Sequence, residues 1–268
     1  MPVSRHLYVG CAGWSIPKEH AALFPADQSH LERYAERFPG VEINSSFYRP
    51  HRPVTYARWA ATVPDRFRFA VKVPREITHR RRLVGAVDLL ERFLDEVREL
   101  GEKLGPLLVQ LPPKLTFAAD VVGAFFAALR ERFAGAVVCE PRHASWFTPA
   151  AERLLEGAGV ARVAADPAVV PAAACPGGWC GLVYYRLHGS PQVYYSSYSD
   201  DYLAALSDRL QTAAANGRVW CIFDNTARGA ATTNALVVLQ RLREAINGRC
   251  AAVALRGNGA HAAIHRPP

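Results

Sequence analysis

The chain has 268 residues, half of them hydrophobic, and 32 basic against 24 acidic residues give it a formal net charge of +8. Such a length and apolar content suit one large core, so a single domain over residues 1–268 is predicted, in the size range of an α/β barrel. No run of about eighteen apolar residues is present, which argues against a membrane-spanning helix.

Met1-Pro2-Val3-Ser4-Arg5-His6 leads straight into a strand pattern without a secretory apolar stretch, so a cytoplasmic location is expected. The positive charge favours anionic partners. A small anionic substrate is the expected one, with nucleic acid as the lesser alternative and no membrane. Of the six cysteines, Cys11, Cys139 and Cys221 fall inside apolar strand patterns and read as small hydrophobes. Cys175 and Cys180 flank Pro176-Gly177-Gly178-Trp179, where a local bridge would fit but no usual zinc spacing is found.

In chain order, Leu7 to Cys11 reads as the first strand and runs into Ala12-Gly13-Trp14. Ser29 and Glu32 form a capping box for a helix carrying Leu31, Tyr34, Ala35 and Phe38 at helical spacing. Pro39-Gly40 stops it, and Val41-Glu42-Ile43-Asn44 is the second strand, with its apolar pair on one face and its acid and amide on the other. Pro53 opens the next helix. Phe67 to Val73 is the third strand, with Ala70 and Lys72 on one face, as the inside of a narrow barrel requires. The stretch from Val84 to Leu104 carries Val87, Leu90, Leu94, Val97 and Leu100 in an amphipathic helical pattern.

Leu107 to Leu111 is the fourth strand, and a helix with Val121, Val122, Phe125, Phe126 and Leu129 inward follows it. Ala136 to Glu140 is the fifth strand, Pro149 to Glu156 a short helix and Val160 to Asp166 the sixth strand. Pro167 to Gly181 is rich in proline and glycine without helical periodicity. Leu182 to His188, a helix opened by Asp200-Asp201, Val219 to Asp224 and a helix from Ala231 to Ile246 complete the pattern. The expected fold is α/β, a slightly irregular (β/α)8 barrel whose outer helix after the sixth strand is missing or replaced by a loop.

In this pattern the strands end in polar residues, and parallel strands side by side gather such ends in one place. The predicted mouth collects Glu42, Asn44, Lys72, Gln110, Glu140, Asp166, Arg186, His188 and Asp224. Buried carboxylates need compensating charge, and Lys72, Arg186 and Arg142 are the natural compensators. A mixed cluster of this kind suits general acid–base catalysis. Glu42 and Glu140 are the expected acid–base pair, with Lys72 as electrostatic partner or as a Schiff-base nucleophile; Arg186, His188 and Asp224 complete the catalytic set.

For substrate binding, Trp14, Asn44, Tyr48, Gln110, Arg142, Trp146, Asn225 and Arg228 are the candidates. The Asn225-Thr226-Ala227-Arg228-Gly229-Ala230-Ala231 loop, with free backbone N–H groups at a helix start, suits an anion. Phe47, Tyr194, Tyr195 and Tyr198 also fall in strand-end loops, where they would wall a cleft. No cofactor is expected. The alternative is a divalent ion such as zinc or manganese held by Glu42, Glu140, Asp166, His188 and Asp224. The dinucleotide fingerprint, the Walker loop and the nucleophile elbow are absent.

These motifs resemble the YecE-like family, domain of unknown function 72. The resemblance rests on Gly10-Cys11-Ala12-Gly13-Trp14, Val41 to Tyr48, Phe69 to Pro74, Leu108 to Pro113, Glu140 to Trp146, Tyr185 to Gly189 and Phe223 to Thr226. It implies a TIM-barrel fold and carries no established activity. The residues themselves point to an enzyme, a hydrolase, lyase or isomerase, acting on a small anionic or polyhydroxylated substrate. A metal-dependent phosphodiesterase or DNA-repair-like endonuclease, and a non-catalytic metabolite-binding protein, are the alternatives.

Overall fold

A computed structural model of the chain describes residues 6–258. Strands and helices alternate along it. The first helix, α1 (His30–Arg37), begins at Ser29, whose hydroxyl accepts from the Glu32 N–H while the Glu32 carboxylate accepts from the Ser29 N–H. The predicted capping box is thus present. α2 (Pro53–Thr62) has proline in its first turn, and α3 (Val87–Val97) buries Leu90, Phe93, Leu94 and Val97. Val87, expected on that inner face, is exposed at the helix start. α4 (Ala119–Arg132), α5 (Pro149–Gly157), α6 (Asp200–Ala214) and α7 (Ala230–Asn258) follow, with Thr148 and Ser199 hydroxyls capping α5 and α6. No described helix is long and apolar enough to cross a membrane.

Two sheets carry the strands. One has the order β1 (Leu7–Cys11), β10 (Arg218–Phe223), β9 (Leu182–Leu187), β7 (Ala164–Asp166). The other runs β2 (Gly40–Ile43), β3 (Arg68–Lys72), β4 (Leu104–Gln110), β5 (Val137–Glu140), β6 (Val160–Arg162), β8 (Gly177–Gly178). Every pairing is parallel except that of β8 with β6. The fold is therefore α/β with parallel sheets.

The single sixth strand expected over Val160 to Asp166 is instead two, because the chain changes partners at Val163. Val137 to Cys139 pair with Val160 to Arg162, the Val163 N–H still reaches the Cys139 carbonyl at 2.9 Å, and from Ala164 the strand pairs with β9. Arg162 fixes this corner, its guanidinium bonding Glu152 and the carbonyls of Ala172 and Cys175. Between β7 and β9, where a helix would normally pack, the chain forms a 3-10 turn at Pro171–Ala174 and the two-residue β8. Cys175 and Cys180 in this stretch are free thiols, so the local bridge is not formed.

Apolar side chains lie on both faces of the strands. The larger cluster fills the space between strands and helices. The smaller one is contributed by both sheets, Ala70, Leu108, Val138 and Ala161 from one and Leu182, Tyr184, Trp220 and Ile222 from the other. Trp220 stacks on Tyr8 at 4.7 Å, and a Cβ at Gly105 would fall 2.7 Å from its indole, so only glycine fits there.

The two sheets meet between β1 and β2 at one bridge, Ala12 with Glu42, and one backbone bond, Gly13 N–H to the Glu42 carbonyl at 2.9 Å. Below it Tyr34 replaces the missing ladder. Its hydroxyl accepts from the Cys11 N–H at 2.8 Å and donates to the Gly40 carbonyl at 3.3 Å. Gly10 permits this approach, since a Cβ there would collide with the Gly40 carbonyl oxygen. Tyr34→Phe strands a buried donor and acceptor, so urea unfolding at pH 7 is expected to show a loss of about 1–3 kcal/mol. A change within about 0.5 kcal/mol would mean that the seam does not depend on the hydroxyl.

Candidate active site

Alternation along a strand turns every second side chain to the same face. Two residues beyond the small apolar cluster, Ala70 gives way to Lys72, Leu108 to Gln110, Val138 to Glu140 and Tyr184 to Arg186. A polar layer therefore lies directly on an apolar one, at the C-terminal ends of the strands. Glu42, Glu140 and Arg186 are fully buried, and Lys72, His188, Asp224 and Gln110 are nearly so.

Arg186 is the hub. Its Nε lies 3.0 Å from Glu42 Oε2 and its Nη2 2.6 Å from Glu42 Oε1, a bidentate pair. Nη1 donates to Glu140 Oε2 at 3.1 Å, and Nη2 is 3.0 Å from Asp224 Oδ2. Tyr184, unrecognised as a site residue in the sequence although it stands two positions before Arg186 on the same face, donates its hydroxyl to Glu42 Oε2 at 2.9 Å. Burial would lower the Arg186 pKa, but Asp224, Glu42 and Glu140 together hold it well above the ordinary range. Burial likewise pushes the Glu140 carboxyl up, and the opposing pull of Arg142, Arg186 and His188 leaves it well below the usual carboxylate range. Asp224 is also lowered, by Arg186 and by the His188 hydrogen bond, against its burial.

His188 bridges two of these carboxylates. Nδ1 is 3.0 Å from Asp224 Oδ2, and Nε2 is 2.9 Å from both Glu140 Oε1 and Arg142 Nη2. Asp224 accepts only, so it assigns the Nδ1 proton. The neutral ring then offers its Nε2 lone pair to Arg142, and a second proton on Nε2 would point at Glu140. Arg142 in turn donates Nε to Glu140 Oε1 at 2.7 Å and keeps a fifth of its side chain in solvent. Of the three compensating cations expected, Arg186 and Arg142 form ion pairs.

Lys72 does not. Among the described residues its Nζ makes no hydrogen bond and has no carboxylate oxygen within 4.0 Å; it lies 4.1 Å from the centroid of the Phe47 ring. Burial, and then Arg186, lower its pKa to about 8 against the pull of Glu42, Asp224 and Glu140. Ser46 holds the loop carrying Phe47 in place, its hydroxyl lying 2.7 Å from the Lys72 carbonyl and 2.9 Å from the Ile43 carbonyl. Beside Lys72, Asn44 has a buried Oδ1 without a donor, and the Gln110 amide makes no hydrogen bond among the described residues. β2, β3 and β4 are neighbours, so Asn44, Lys72 and Gln110 stand at three successive strand ends.

His79, which the sequence reading passed over, belongs to this side. It lies in a turn of π-helix (Glu76–Arg80) following β3, with its ring edge-on to Phe47 at 4.9 Å. Burial together with Lys72, Arg75 and Arg142 lowers its pKa to about 4. Its position just after a strand ending in lysine was the available signal. Tyr194 stands at the opposite rim with φ 69°, 5.9 Å from the His188 ring, and its backbone bonds His188 and Ala227.

The other expected binding residues sit further away or deeper. Trp146 is fully buried with its indole N–H on the Leu115 carbonyl, so it packs the core instead of walling a cleft. Asn225 is also buried, its Nδ2 spent on the Ser196 carbonyl and Asn234, which ties two loops together. Trp14 packs edge-on to Trp59 at 4.9 Å, whereas Tyr48 is the most exposed aromatic of the set. Arg228 lies over the Tyr195 ring in the loop before α7, lining a separate cavity of ≈ 460 Å³. There the anion-binding expectation meets a competitor, because a Cβ at Gly229 would be 3.0 Å from Glu19 Oε1; the chain's own carboxylate already stands at this helix start. Asp166 is drawn off to the Tyr198 hydroxyl at 2.9 Å. A divalent ion does not fit the expected ligand set, since the Arg186 guanidinium occupies the place where Glu42, Glu140 and Asp224 converge, and no group of three or more described His, Cys, Asp or Glu residues is arranged to hold one.

Arg186→Met leaves three buried carboxylates without their shared cation, so urea unfolding at pH 7 is expected to show a loss of about 3–5 kcal/mol. The pH dependence separates the two proteins. Glu140 and Asp224 carry lowered pKa values, so their contribution is present above the unfolded carboxylate value of about 4 and is lost as pH falls through the folded one. In the variant the uncompensated carboxylates bind protons more readily when folded, and its deficit shrinks between pH 7 and about 4. A pH-independent deficit would show that charge compensation is not the cause.

Residues 8–255 match the family described as "Protein of unknown function DUF72". The chain is 33% identical to UPF0759 protein YecE of Escherichia coli K12 over 175 residues, 62% of this chain and 61% of that protein. To UPF0759 protein YunF of Bacillus subtilis 168 it is 29% identical over 154 residues, 53% of each. The matches thus span less than two thirds of either relative. A DUF72 family protein of Enterococcus faecalis V583 superimposes with a TM-score of 0.74 at 24% identity, covering 88% of this chain and 95% of that one. For a DUF72 family protein of Thermotoga maritima MSB8 the TM-score is 0.73 at 23% identity, with 89% and 99% covered. These two structures share the α/β fold, and with the family match over nearly its whole length the chain belongs to the DUF72 family.

Proposed function

We propose that the chain is an enzyme performing general acid–base chemistry on a small anionic substrate, bound where the ends of β2, β3 and β4 face those of β5, β9 and β10. With this goes the inference that the two sheets form one slightly irregular (β/α)8 barrel. The bridge between β1 and β2, the unbroken chain from β6 into β7 and an inner apolar cluster drawn from both sheets support it.

The observation that carries the functional reading is a division of the polar layer. On one side Glu42, Glu140, Asp224, Arg186, His188 and Arg142 satisfy one another. On the other, Asn44 Oδ1 is buried without a donor, and Lys72 Nζ and the Gln110 amide make no hydrogen bond among the described residues. Buried polar groups are ordinarily paired, and unpaired ones call for a partner from outside. A substrate anion would meet Lys72 and the exposed part of Arg142, and developing negative charge would be stabilised there. His188, oriented by Asp224, is placed to hold or release a proton at Nε2, with Glu140 opposite. Glu42 has both oxygens engaged by Arg186 and one by Tyr184, and in this reading it anchors the guanidinium.

The test is a thermal-shift series with inorganic phosphate, pyruvate and citrate at low salt, followed by mass spectrometry of a metabolite mixture incubated with the protein. At least one anion is expected to raise Tm, an effect lost in Arg142→Ala. A metabolite consumed by the wild type is expected to turn over about 10²-fold or more slowly with His188→Asn. Stabilisation unaffected by Arg142→Ala would overturn the reading, and steeply salt-dependent binding of nucleic acid in its place would favour a nuclease.

A further inference from the structure

Lysine is scarce in this chain. There are four, Lys18, Lys72, Lys103 and Lys114, against 28 arginines. Lys18 and Lys114 are exposed, and Lys103 donates to the Ala60 and Val63 carbonyls at 2.8 and 2.6 Å. Every other cation of the polar layer is arginine. The one lysine there is also the one cation without an anion.

An arginine makes the better ion pair, with five donors and a charge it never gives up. Lysine offers something different, an amine that can lose its proton and act as a nucleophile. Lys72 Nζ has the surroundings that this requires. It is buried to 4% exposure yet makes no hydrogen bond among the described residues, and the face of Phe47 lies 4.1 Å away in place of a carboxylate. A carboxylate in contact would have held the proton on; an aromatic face stabilises a cation without accepting a proton from it.

We propose that Lys72 is a covalent catalytic residue, forming an imine with a substrate that carries an aldehyde or ketone next to an anionic group. This deepens the acid–base reading above and rests on it, because Arg142 supplies the contact for the anion. The neutral amine attacks the carbonyl carbon, a C–N bond forms, and the C=O π pair moves to oxygen, which takes up a proton. The oxygen then leaves as water, with one proton from nitrogen and one from the medium. The nitrogen keeps its other hydrogen and the positive charge. Carbon acids beside the iminium are thereby made more acidic, which gives the His188–Asp224 pair a proton to remove. The lowering of the Lys72 pKa to about 8 by burial and Arg186 supplies free amine near neutrality.

The full chain is incubated separately with pyruvate, glyoxylate and pyridoxal 5′-phosphate, reduced with sodium borohydride and mapped by peptide mass spectrometry. The three other lysines serve as internal controls. Lys72 is expected to carry the adduct at least about tenfold faster than Lys18 or Lys114, at a rate rising between pH 7 and 9. Lys72→Arg, which keeps the charge, is expected to lose that adduct while Lys18 and Lys114 label as in the wild type. Adducts spread evenly over the exposed lysines, or none at Lys72, would overturn the imine. If no adduct forms at Lys72 while the unreduced anions still stabilise the wild type and not Arg142→Ala, only the imine falls and the anion site stands. If neither stabilisation nor adduct is seen, both readings fall.

Discussion

One guanidinium holds the polar layer together. Arg186 comes from β9, and the carboxylates around it come from β2, β5 and the end of β10, so a single side chain ties together strands of both sheets. Removing such charges from water is costly, and only several close, well-aimed contacts offset that. Arginine suits the task because its planar fork meets one carboxylate with two nitrogens and still reaches others. Glu42 takes the bidentate contact and a third bond from Tyr184. The network is better understood as fixing positions than as adding stability, since apolar packing of similar volume often serves stability as well.

From that fixed centre the rest of the site acquires its properties. Asp224 and Glu140, bound by Arg186, are both ionised acceptors, and between them the His188 ring turns Nδ1 to Asp224 and Nε2 to Glu140 and Arg142. Lys72 is repelled by the same guanidinium that the carboxylates neutralise, so little net attraction remains to hold its proton. Its lowered pKa follows first from burial and then from this repulsion by Arg186.

Much of this was legible in the sequence because it depends on a period of two. Glu42, Lys72, Glu140 and Arg186 lie on the face that alternation assigns them, and the helix starts at Ser29 and Pro53 follow from local capping chemistry. What could not be read depends on contacts between distant segments. Nothing in the neighbourhood of Val163 announces that its strand will change partners, since that depends on where β5 ends and β9 begins. Trp146 and Asn225 follow strand ends as binding residues would, yet the Trp146 indole N–H meets Leu115 and the Asn225 Nδ2 meets Ser196 and Asn234. Lysine and arginine look equivalent as counter-charges in a sequence; only the geometry separates the paired Arg186 from the unpaired Lys72. The approach of Glu19 to Gly229 joins positions about two hundred residues apart, beyond any local pattern.

The aromatic stack beneath the network has a consequence for traffic through the molecule. Tyr8, Trp220 and Tyr184 lie ring against ring, Trp220 is pressed against Gly40 and Gly105, and Tyr184 touches Glu42 with its hydroxyl. This is a dry floor under the charges. In the proposed barrel this floor closes the polar layer from below, so a substrate, and any water its turnover consumed or released, would pass only through the strand-end side. Such a site would take its substrates one at a time, with the exposed Tyr48, His79 beside Phe47 and Tyr194 beside His188 as the side chains they would pass.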